Sequence, residues 1–234
     1  MSTTAILLCA GRGERLGAEL PKAQVSLAGR PLFTWSLEAM ERARSIDAVV
    51  IVGAVRTLRE LLAASGLAAG KACGFAEGGR ERQDSVARGM QVLPEGTDLI
   101  AVHDCARALV TPEVIDRVVG DARAHGAAIA AVPLEDTLKR TTLEVIDTTV
   151  PRASLWRAQT PQAFRRDWLE AAHAAAKSRA TDDAALVEAL GHPVRVSMGD
   201  SLNFKITTAG DLALAEAWLS RRATDAAATS PRRS

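Results

Sequence analysis

The chain has 234 residues, of which 47% are hydrophobic and 24% are charged, and its formal net charge is +1. Such a composition indicates an ordinary apolar core in one large domain or two small ones, and it excludes a disordered protein. A charge this close to zero argues against a general nucleic-acid-binding surface, and aromatic residues at 3% leave no base-stacking platform. We therefore expect no nucleic-acid partner.

The sequence also predicts the compartment. It has no run approaching the roughly 20 apolar residues of a membrane span, and its N-terminus enters a strand pattern without a cleavable signal. We expect a cytoplasmic protein that does not bind a membrane. Cys9, Cys73 and Cys105 are odd in number and lack C-x-x-C spacing, which argues against a disulfide framework and a zinc site.

Apolar runs of strand length alternate with helix-like segments through the first part of the chain. The predicted strands are 5–9, 48–52, 99–102 and 128–132, and the predicted helices are 32–43, 57–64, 84–93 and 112–125. Continuous apolar runs are typical of strands that are covered on both faces. The order therefore predicts an α/β fold with a parallel sheet and a ligand crevice at the carboxyl ends of the strands.

The pattern changes over residues 134–164, which are rich in Thr, Val and Ile and show no helical period. This segment predicts short extended pieces joined by turns. A lone hairpin is marginal in water, so its apolar side chains need a cover. We expect a second copy of the chain to cover them in a homodimer; an antiparallel extension packed on its own domain is the alternative. The side chains concerned are Leu138, Leu143, Val145, Ile146, Leu155 and Trp156.

The last part of the chain predicts helices at 168–177 and 182–190, a short strand at 194–198 and a closing helix. Thr208 and Asp211 fit the cap of that closing helix. Residues 1–220 are therefore expected to form one domain. Residues 221–234 show no apolar period and are expected to be a disordered tail.

A glycine-rich loop follows the first predicted strand and reads AGRGERLG over residues 10–17, with Pro21-Lys22 shortly after it. Backbone N–H groups in such a turn can hold phosphate. The spacing does not fit the dinucleotide fingerprint, because Leu16 stands where the third glycine belongs, and the P-loop Gly-Lys-Ser/Thr is absent. Three cations fit a triphosphate that loses a polyanionic leaving group; solvated surface cations are the alternative. These cations are Arg12, Arg15 and Lys22.

This loop is the first of seven segments that together resemble one family. In chain order they are AGRGERLG with the following PK, GGRERQDSV at 78–86, HDCAR at 103–107, DTLK at 136–139, RASLWRAQTPQ at 152–162, TDDA at 181–184 and NFKIT at 203–207. The set, in this order, resembles the 2-C-methyl-D-erythritol 4-phosphate cytidylyltransferases over about residues 4–220. The resemblance implies a Rossmann-like nucleotidyltransferase with a mostly parallel sheet flanked by helices and a protruding β-arm at 134–164 that serves dimerisation.

The implied reaction is the transfer of CMP from CTP to 2-C-methyl-D-erythritol 4-phosphate, with release of pyrophosphate, in the non-mevalonate pathway to isoprenoid precursors. A phosphomonoester has a second pKa of about 6, so its attacking oxygen is already ionised at neutral pH and needs no general base. Catalysis then consists of positioning and charge neutralisation. The catalytic residues implied by the resemblance are Arg15, Lys22, Arg152 and Lys205.

The resemblance also implies the binding residues. For the nucleotide they are Ala10, Gly11, Gly13, Gly79, Arg82, Ser85, Asp104 and Arg107, and for the acceptor they are Thr137, Arg152, Thr160, Thr181 and Lys205. Asp104 is expected to contact either the ribose or the Mg²⁺ that accompanies CTP. Ser85 has a helix cap as its alternative role. Thr137 and Arg152 are expected to serve the active site of the partner subunit, and His103 is expected to be structural.

Several positions depart from the family pattern, and other functions stay open. The departures are Arg80, Cys105, Ala108, Pro151, Asp183, Leu202 and Phe204. They leave the loop cations unchanged, so they bear on affinity more than on the reaction type. For Cys105, a small buried apolar role and a thiol-sensitive role are both open. A ribitol-5-phosphate or other alditol-phosphate cytidylyltransferase is the alternative enzyme, and a non-catalytic nucleotide-binding regulator is the alternative from another class.

Overall fold

The computed structural model describes residues 1–11, 13 and 21–229. The first half of the chain forms β1 (Ser2–Leu8), a 3-10 helix (Lys22–Gln24), β2 (Ser26–Leu27), β3 (Arg30–Pro31), α1 (Leu32–Arg42), β4 (Ala48–Gly53), α2 (Val55–Ser65), β5 (Ala72–Glu77), α3 (Arg82–Met90) and β6 (Thr97–Asp104). The second half forms α4 (Pro112–His125), β7 (Ala127–Pro133), β8 (Leu138–Thr142), β9 (Val145–Val150), β10 (Trp156–Arg165), α5 (Arg166–Ala175), α6 (Asp183–Ala189), β11 (Arg195–Met198) and α7 (Ala209–Thr229).

Seven of these strands form one sheet in the order β11-β7-β10-β6-β1-β4-β5. Neighbouring strands run parallel except at β10, which is antiparallel to both β6 and β7. In the centre of the sheet, Ile6 pairs with Val50 on one side and with Val102 on the other. The prediction of an α/β fold with a mostly parallel sheet is therefore confirmed.

Helices cover both faces of this sheet, which explains the continuous apolar runs. Leu7 of β1 belongs to the buried cluster that contains Phe33 of α1, whereas Ile6 belongs to the cluster on the opposite face with Val86 of α3. Successive strand residues point to opposite faces, so a strand that is covered on both faces is apolar along most of its buried length. The sequence pattern thus reflects burial from both sides.

Strand β5 was not predicted. It lies at one edge of the sheet, and its burial is uneven: Ala76 is buried, but Cys73 and Glu77 are exposed. Gly74 further weakens the strand pattern, because glycine is depleted in strands. A strand at the edge of the sheet is only partly buried, so it does not need the continuous apolar run by which the other strands were predicted.

Residues 134–164, predicted as one arm, divide into two parts. Strands β8 and β9 pair only in a two-stranded antiparallel hairpin, on which Leu143 is 93% and Ile146 is 59% exposed. Strand β10 instead enters the central sheet between β6 and β7, and Phe164 is fully buried there. The arm is therefore shorter than predicted, because β10 satisfies its main-chain hydrogen bonds within the sheet of its own domain.

The predicted cap of the closing helix is present. The Asp211 N–H donates to Thr208 Oγ1 at 3.2 Å, and the Thr208 N–H donates to Asp211 Oδ2 at 2.8 Å. The helix then continues beyond residue 220, where the domain was predicted to end, to Thr229. Ala is frequent in this extension and has the highest helix propensity, so the helix propagates through it. Residues 230–234 of the predicted tail lie outside the described residues.

No helix in the described part of the chain is long and apolar enough to cross a membrane.

Candidate active site

A cavity of about 490 Å³ opens at the carboxyl ends of β1 and β6, where the fold predicts a ligand crevice. Eight of its lining residues were implied by the resemblance: Ala10, Gly11, Gly13, Gly79, Arg82, Ser85, Asp104 and Lys205. The six that were not are Leu8, Arg80, Glu81, Cys105, Ala106 and Thr207. The structure therefore gathers segments from both halves of the chain around one cavity.

At two positions in the cavity wall, the backbone geometry favours glycine over any residue with a side chain. Gly13 has a φ of 76°, a conformation that favours glycine. Gly79 approaches α3 so closely that a Cβ on it would lie 2.2 Å from Asp84 Cβ. Both parts of the wall thus present backbone to the cavity.

Ser85 holds this wall in place and does not cap the helix. The helix cap is Glu81, which forms a reciprocal capping box with Asp84. The Ser85 hydroxyl accepts the Gly79 N–H and donates to the Glu81 carbonyl oxygen, both at 3.0 Å. The hydroxyl oxygen retains one lone pair, which a ligand in the cavity can use.

Four charged side chains form a continuous ion-pair chain, of which Lys205, Asp104 and Arg82 line the cavities and Asp183 lies buried behind them. Lys205 Nζ lies 2.6 Å from Asp104 Oδ2, and Arg82 Nε lies 3.1 Å from Asp104 Oδ1. On its other side, Arg82 Nη1 lies 2.6 Å from Asp183 Oδ2. His173 Nε2 contacts the second oxygen of Asp183 at 3.0 Å. Arg82 is thus held between two carboxylates.

These contacts fix the charges of the site. Burial alone would raise the pKa of Asp104, but the positive charges of Arg82 and Lys205 outweigh it and hold that pKa well below its usual range. Burial would lower the pKa of Arg82, and Asp183 and Asp104 reverse that effect and raise it. Asp104 is therefore an anion and Arg82 a cation at neutral pH.

A second cavity, of about 260 Å³, adjoins the first and is lined by Arg82, Asp104, Arg107, Ala158, Gln159, Thr160, Gln162, Thr181, Asp182 and Lys205. Arg82, Asp104 and Lys205 line both cavities. The expected acceptor residues Thr160, Thr181 and Lys205 are therefore together here.

Arg107, which is expected to bind the nucleotide, makes its side-chain hydrogen bonds to main-chain carbonyl oxygens. Among the described residues it lines the smaller cavity and not the larger one. Its guanidinium donates to the carbonyl oxygens of Asn203 at 2.8 Å and of Ala158 at 3.2 Å. Arg107 therefore ties the segment before Lys205 to β10, a contact that no local sequence pattern reveals.

His103 and Thr160 belong to a series of buried hydrogen bonds behind the site. His103 is fully buried, and its Nε2 lies 3.3 Å from the Arg107 carbonyl oxygen, which can only accept, so Nε2 carries the proton. Nδ1 then accepts from Thr160 Oγ1 at 3.0 Å, and that oxygen accepts the Asp104 N–H at 3.1 Å. The hydroxyl proton of Thr160 is thus directed at His103, so this arrangement leaves none for an acceptor phosphate. The expected structural role of His103 agrees with these contacts.

Two implied residues, Thr137 and Arg152, line neither cavity, and the structure does not describe the side chains of two others, Arg15 and Lys22. Arg15 lies outside the described residues, as does Arg12, and Lys22 begins the 3-10 helix after the loop. Thr137 and Arg152 flank the exposed hairpin, where Arg152 Nη1 donates to the Glu135 carbonyl oxygen. The sequence in turn missed the roles of Asp183 and His173. Asp183 was noted as a departure, but its pairing with Arg82 joins residues about 100 positions apart.

The fold and the site together define a nucleotidyltransferase of the α/β class. The model of the family 2-C-methyl-D-erythritol 4-phosphate cytidylyltransferase (IspD) matches residues 3–221. The chain therefore belongs to this family, which confirms the resemblance seen in the seven motifs.

Named relatives and solved structures agree with this assignment. The chain is 42% identical to the 2-C-methyl-D-erythritol 4-phosphate cytidylyltransferase of Synechococcus sp. (strain WH7803), over 93% of this chain and 99% of the relative. It is similar to the crystal structure of 4-diphosphocytidyl-2C-methyl-D-erythritol synthase from Anaerococcus prevotii, with a TM-score of 0.81, 26% identity and coverage of 94% and 99%. The Thermus thermophilus enzyme matches with a TM-score of 0.75, 37% identity and coverage of 94% and 100%. The reaction is thus the CTP-dependent cytidylyl transfer of the non-mevalonate isoprenoid pathway.

Proposed function

We propose that the larger cavity binds CTP, that the smaller one binds the phosphate of 2-C-methyl-D-erythritol 4-phosphate, and that the reactants meet at Arg82, Asp104 and Lys205. The observation that supports this is that both cavities share these three residues. The larger volume, about 490 Å³, suits a nucleotide, since ligand pockets typically measure about 300–1,000 Å³. The smaller, about 260 Å³, suits a polyol phosphate.

The chemistry at this boundary is a displacement at phosphorus. An ionised oxygen of the acceptor phosphate attacks the α-phosphorus of CTP, and the bond to the pyrophosphate oxygen breaks. Lys205 lies at the boundary, so its ammonium neutralises charge that both phosphates bring together. By the family resemblance, Arg15 and Lys22 add positive charge on the side of the departing pyrophosphate. The chain thus acts by holding two anions close.

Recognition of the nucleotide uses groups that the fold leaves unpaired. The remaining lone pair of Ser85 can accept from the N4 amine of cytosine. Arg82 Nη2 is buried without a hydrogen-bond partner among the described residues. Since an unpaired buried donor costs about 1–3 kcal/mol, a substrate oxygen is its natural partner.

Mg²⁺ is proposed to bind together with CTP at Asp104. Within the described residues, no cluster of three or more His, Cys, Asp or Glu could hold a metal ion alone. A single carboxylate in a nucleotide cavity nevertheless fits Mg²⁺, which usually takes one or two carboxylates and completes its shell with phosphate oxygens and water. When bound, the ion supplies charge neutralisation to the phosphates, and Asp104 supplies the protein ligand.

A homodimer is proposed from the hairpin of β8 and β9. Its apolar side chains are exposed in the monomer, including Leu143 at 93% and Val145 at 68%. Exposed apolar side chains grouped on one element are typical of an interface. Arg152 and Thr137 flank this hairpin and are expected to complete the partner's acceptor site. A cytoplasmic location stays a prediction from the sequence.

The central experiment measures pyrophosphate release from CTP and Mg²⁺ with either 2-C-methyl-D-erythritol 4-phosphate or ribitol 5-phosphate. Turnover is expected with the first acceptor. Lys205→Ala is expected to lower kcat by about 10² or more, as for a lost preorganised donor. Lys177→Ala, which removes an exposed lysine from α5's end, serves as the matched control. Equal or faster turnover with ribitol 5-phosphate would contradict the acceptor, and a normal rate in Lys205→Ala would contradict the shared boundary.

The shared site is tested by mixing two inactive variants, Lys205→Ala and Arg152→Ala, under subunit exchange. In a heterodimer, one site receives both defects and the other receives neither. Random mixing makes half of the dimers heterodimers, so activity is expected to rise toward about a quarter of wild type. If exchange is demonstrated and activity does not recover, Arg152 acts within its own chain.

A further inference from the structure

Two buried cysteines follow the carboxyl ends of β1 and β6, and one of them, Cys105, lines the larger cavity. Leu8 of β1 pairs with Asp104 of β6 in parallel register, so Cys9 and Cys105 are the next residues on adjacent strands. The Cys105 N–H donates to the Leu8 carbonyl oxygen at 3.1 Å, which keeps the strands together at this point. The Cys105 thiol lies close enough to the Cys9 thiol to raise its pKa. The two sulfur atoms are therefore neighbours.

The strand geometry permits a covalent bond between them. Adjacent strands lie about 4.8 Å apart, and the Cα atoms of a disulfide lie about 4.4–6.8 Å apart. Both cysteines are only 3% exposed and belong to the same apolar cluster. Cys105 is nevertheless one of the residues that line the cavity.

We propose that Cys9 and Cys105 are a redox-sensitive dithiol, which hydrogen peroxide entering the cavity oxidises to a disulfide and thereby inactivates the site. The Cys105 sulfur attacks the peroxide, the O–O bond breaks, and one water leaves as Cys105 becomes a sulfenic acid. The Cys9 sulfur then attacks the Cys105 sulfur, the S–O bond breaks, and a second water leaves. Two thiols and one hydrogen peroxide thus give one disulfide and two waters.

The environment of the two thiols sets this order. Burial, together with the neighbouring Cys105 thiol, raises the pKa of Cys9 well above its usual range, so Cys9 is slow to ionise and suits the second step. Cys73, in contrast, is exposed on the edge strand β5, where its thiol lies 3.5 Å from the Val49 carbonyl oxygen. The chain therefore carries its own control thiol.

Closing the bond disturbs the site next to it. The bond length of about 2.05 Å is far shorter than a contact between two thiols, so the strand ends must shift. Asp104 directly precedes Cys105, and Ala10 directly follows Cys9. A displacement of about 1 Å in a catalytic site can cost 10²-fold in rate. We expect at least a tenfold loss of activity; this consequence, but not the disulfide, rests on the proposed function.

The test treats the reduced full-length protein with hydrogen peroxide, with and without CTP, and reads mass, free thiols and activity. The expected product has lost two hydrogen atoms, gives a peptide joining Cys9 to Cys105, and retains one labelable thiol, Cys73. CTP is expected to slow the reaction, and dithiothreitol to restore activity. Cys73→Ser should form the same disulfide, whereas Cys9→Ala and Cys105→Ala should form none and should retain more of their own reduced activity.

Three outcomes would overturn the proposal. The dithiol would be excluded if both buried thiols could still be labelled after oxidation. It would also be excluded if Cys105 became a sulfinic acid without forming a bond to Cys9. A disulfide with unchanged activity would exclude inactivation. If the reduced protein lacks CTP-dependent activity, the proposed function fails, yet the mass of the oxidised protein still decides whether the disulfide forms.

Discussion

His103 gives the structure a pH dependence that can be calculated from one buried group. Burial, as the dominant cause, lowers the pKa of His103 to about 4. The unfolded chain has the ordinary histidine pKa of about 6.5. Between these values the unfolded chain binds a proton that the folded chain does not. The stabilisation is therefore fully present above pH 6.5 and is lost as the pH falls from 6.5 toward 4.

The magnitude follows from the two pKa values. One pKa unit corresponds to about 1.4 kcal/mol, so a difference of about 2.5 units limits the loss to about 3.4 kcal/mol. From pH 7 to pH 5, this single group lowers the free energy of unfolding by about 2 kcal/mol. Carboxylates with lowered pKa values, such as Asp104 and Asp116, also destabilise the fold in acid, but chiefly below this range.

The assay is urea denaturation followed by circular dichroism at pH 7, 6 and 5, at one protein concentration. In His103→Gln, the amide can donate to the Arg107 carbonyl oxygen and accept from Thr160 without titrating. Wild type is expected to lose about 2 kcal/mol more than this variant between pH 7 and pH 5. His125→Gln, at an exposed position of α4, should behave as wild type. Equal losses in wild type and His103→Gln would refute the assignment of a buried neutral histidine.

Two further predictions concern the ion-pair chain. Asp183→Asn removes one of the two carboxylates that hold Arg82, so it should lower the free energy of unfolding by about 1.5–3 kcal/mol in urea denaturation. It should also reduce kcat/KM for CTP, and Asp183→Glu should restore both values. Unchanged values would show that Asp104 alone positions Arg82. Asp104→Asn should raise the Mg²⁺ concentration for half-maximal pyrophosphate release at least tenfold, and an unchanged Mg²⁺ dependence would remove Asp104 as the metal ligand.

The sequence predicted those parts of the fold in which burial leaves a local pattern. Covered strands such as β1 are continuous apolar runs, and the cap at Thr208 follows from residue spacing. The edge strand β5 lacked this pattern, because a strand that is only partly buried does not need to be apolar throughout. The sequence shows that β10 is extended, but not which strands it pairs with. We therefore predicted it as part of the arm, whereas it pairs with β6 and β7 of the central sheet.

The candidate site shows the same division between local and distant information. The resemblance supplied eight of the fourteen residues that line the larger cavity, because each motif is a short run of residues. Arg107 follows Asp104 closely in the chain and was assigned with it, yet its side chain turns to the Asn203 and Ala158 carbonyl oxygens. The link from Arg82 to Asp183 joins residues 101 positions apart, so no motif contains it. Long-range pairing is the information that the sequence alone did not provide.

The alternation of charge along the ion-pair chain bears on how two polyanions are accommodated. Lys205, Asp104, Arg82 and Asp183 alternate in sign, so their formal charges cancel before any substrate binds. A phosphate in the smaller cavity must therefore compete with Asp104 for Lys205. The triphosphate needs further positive charge, which the resemblance places in the glycine-rich loop. If the proposed function holds, these side chains fix where the two phosphates meet, and the loop cations set how much charge the site neutralises.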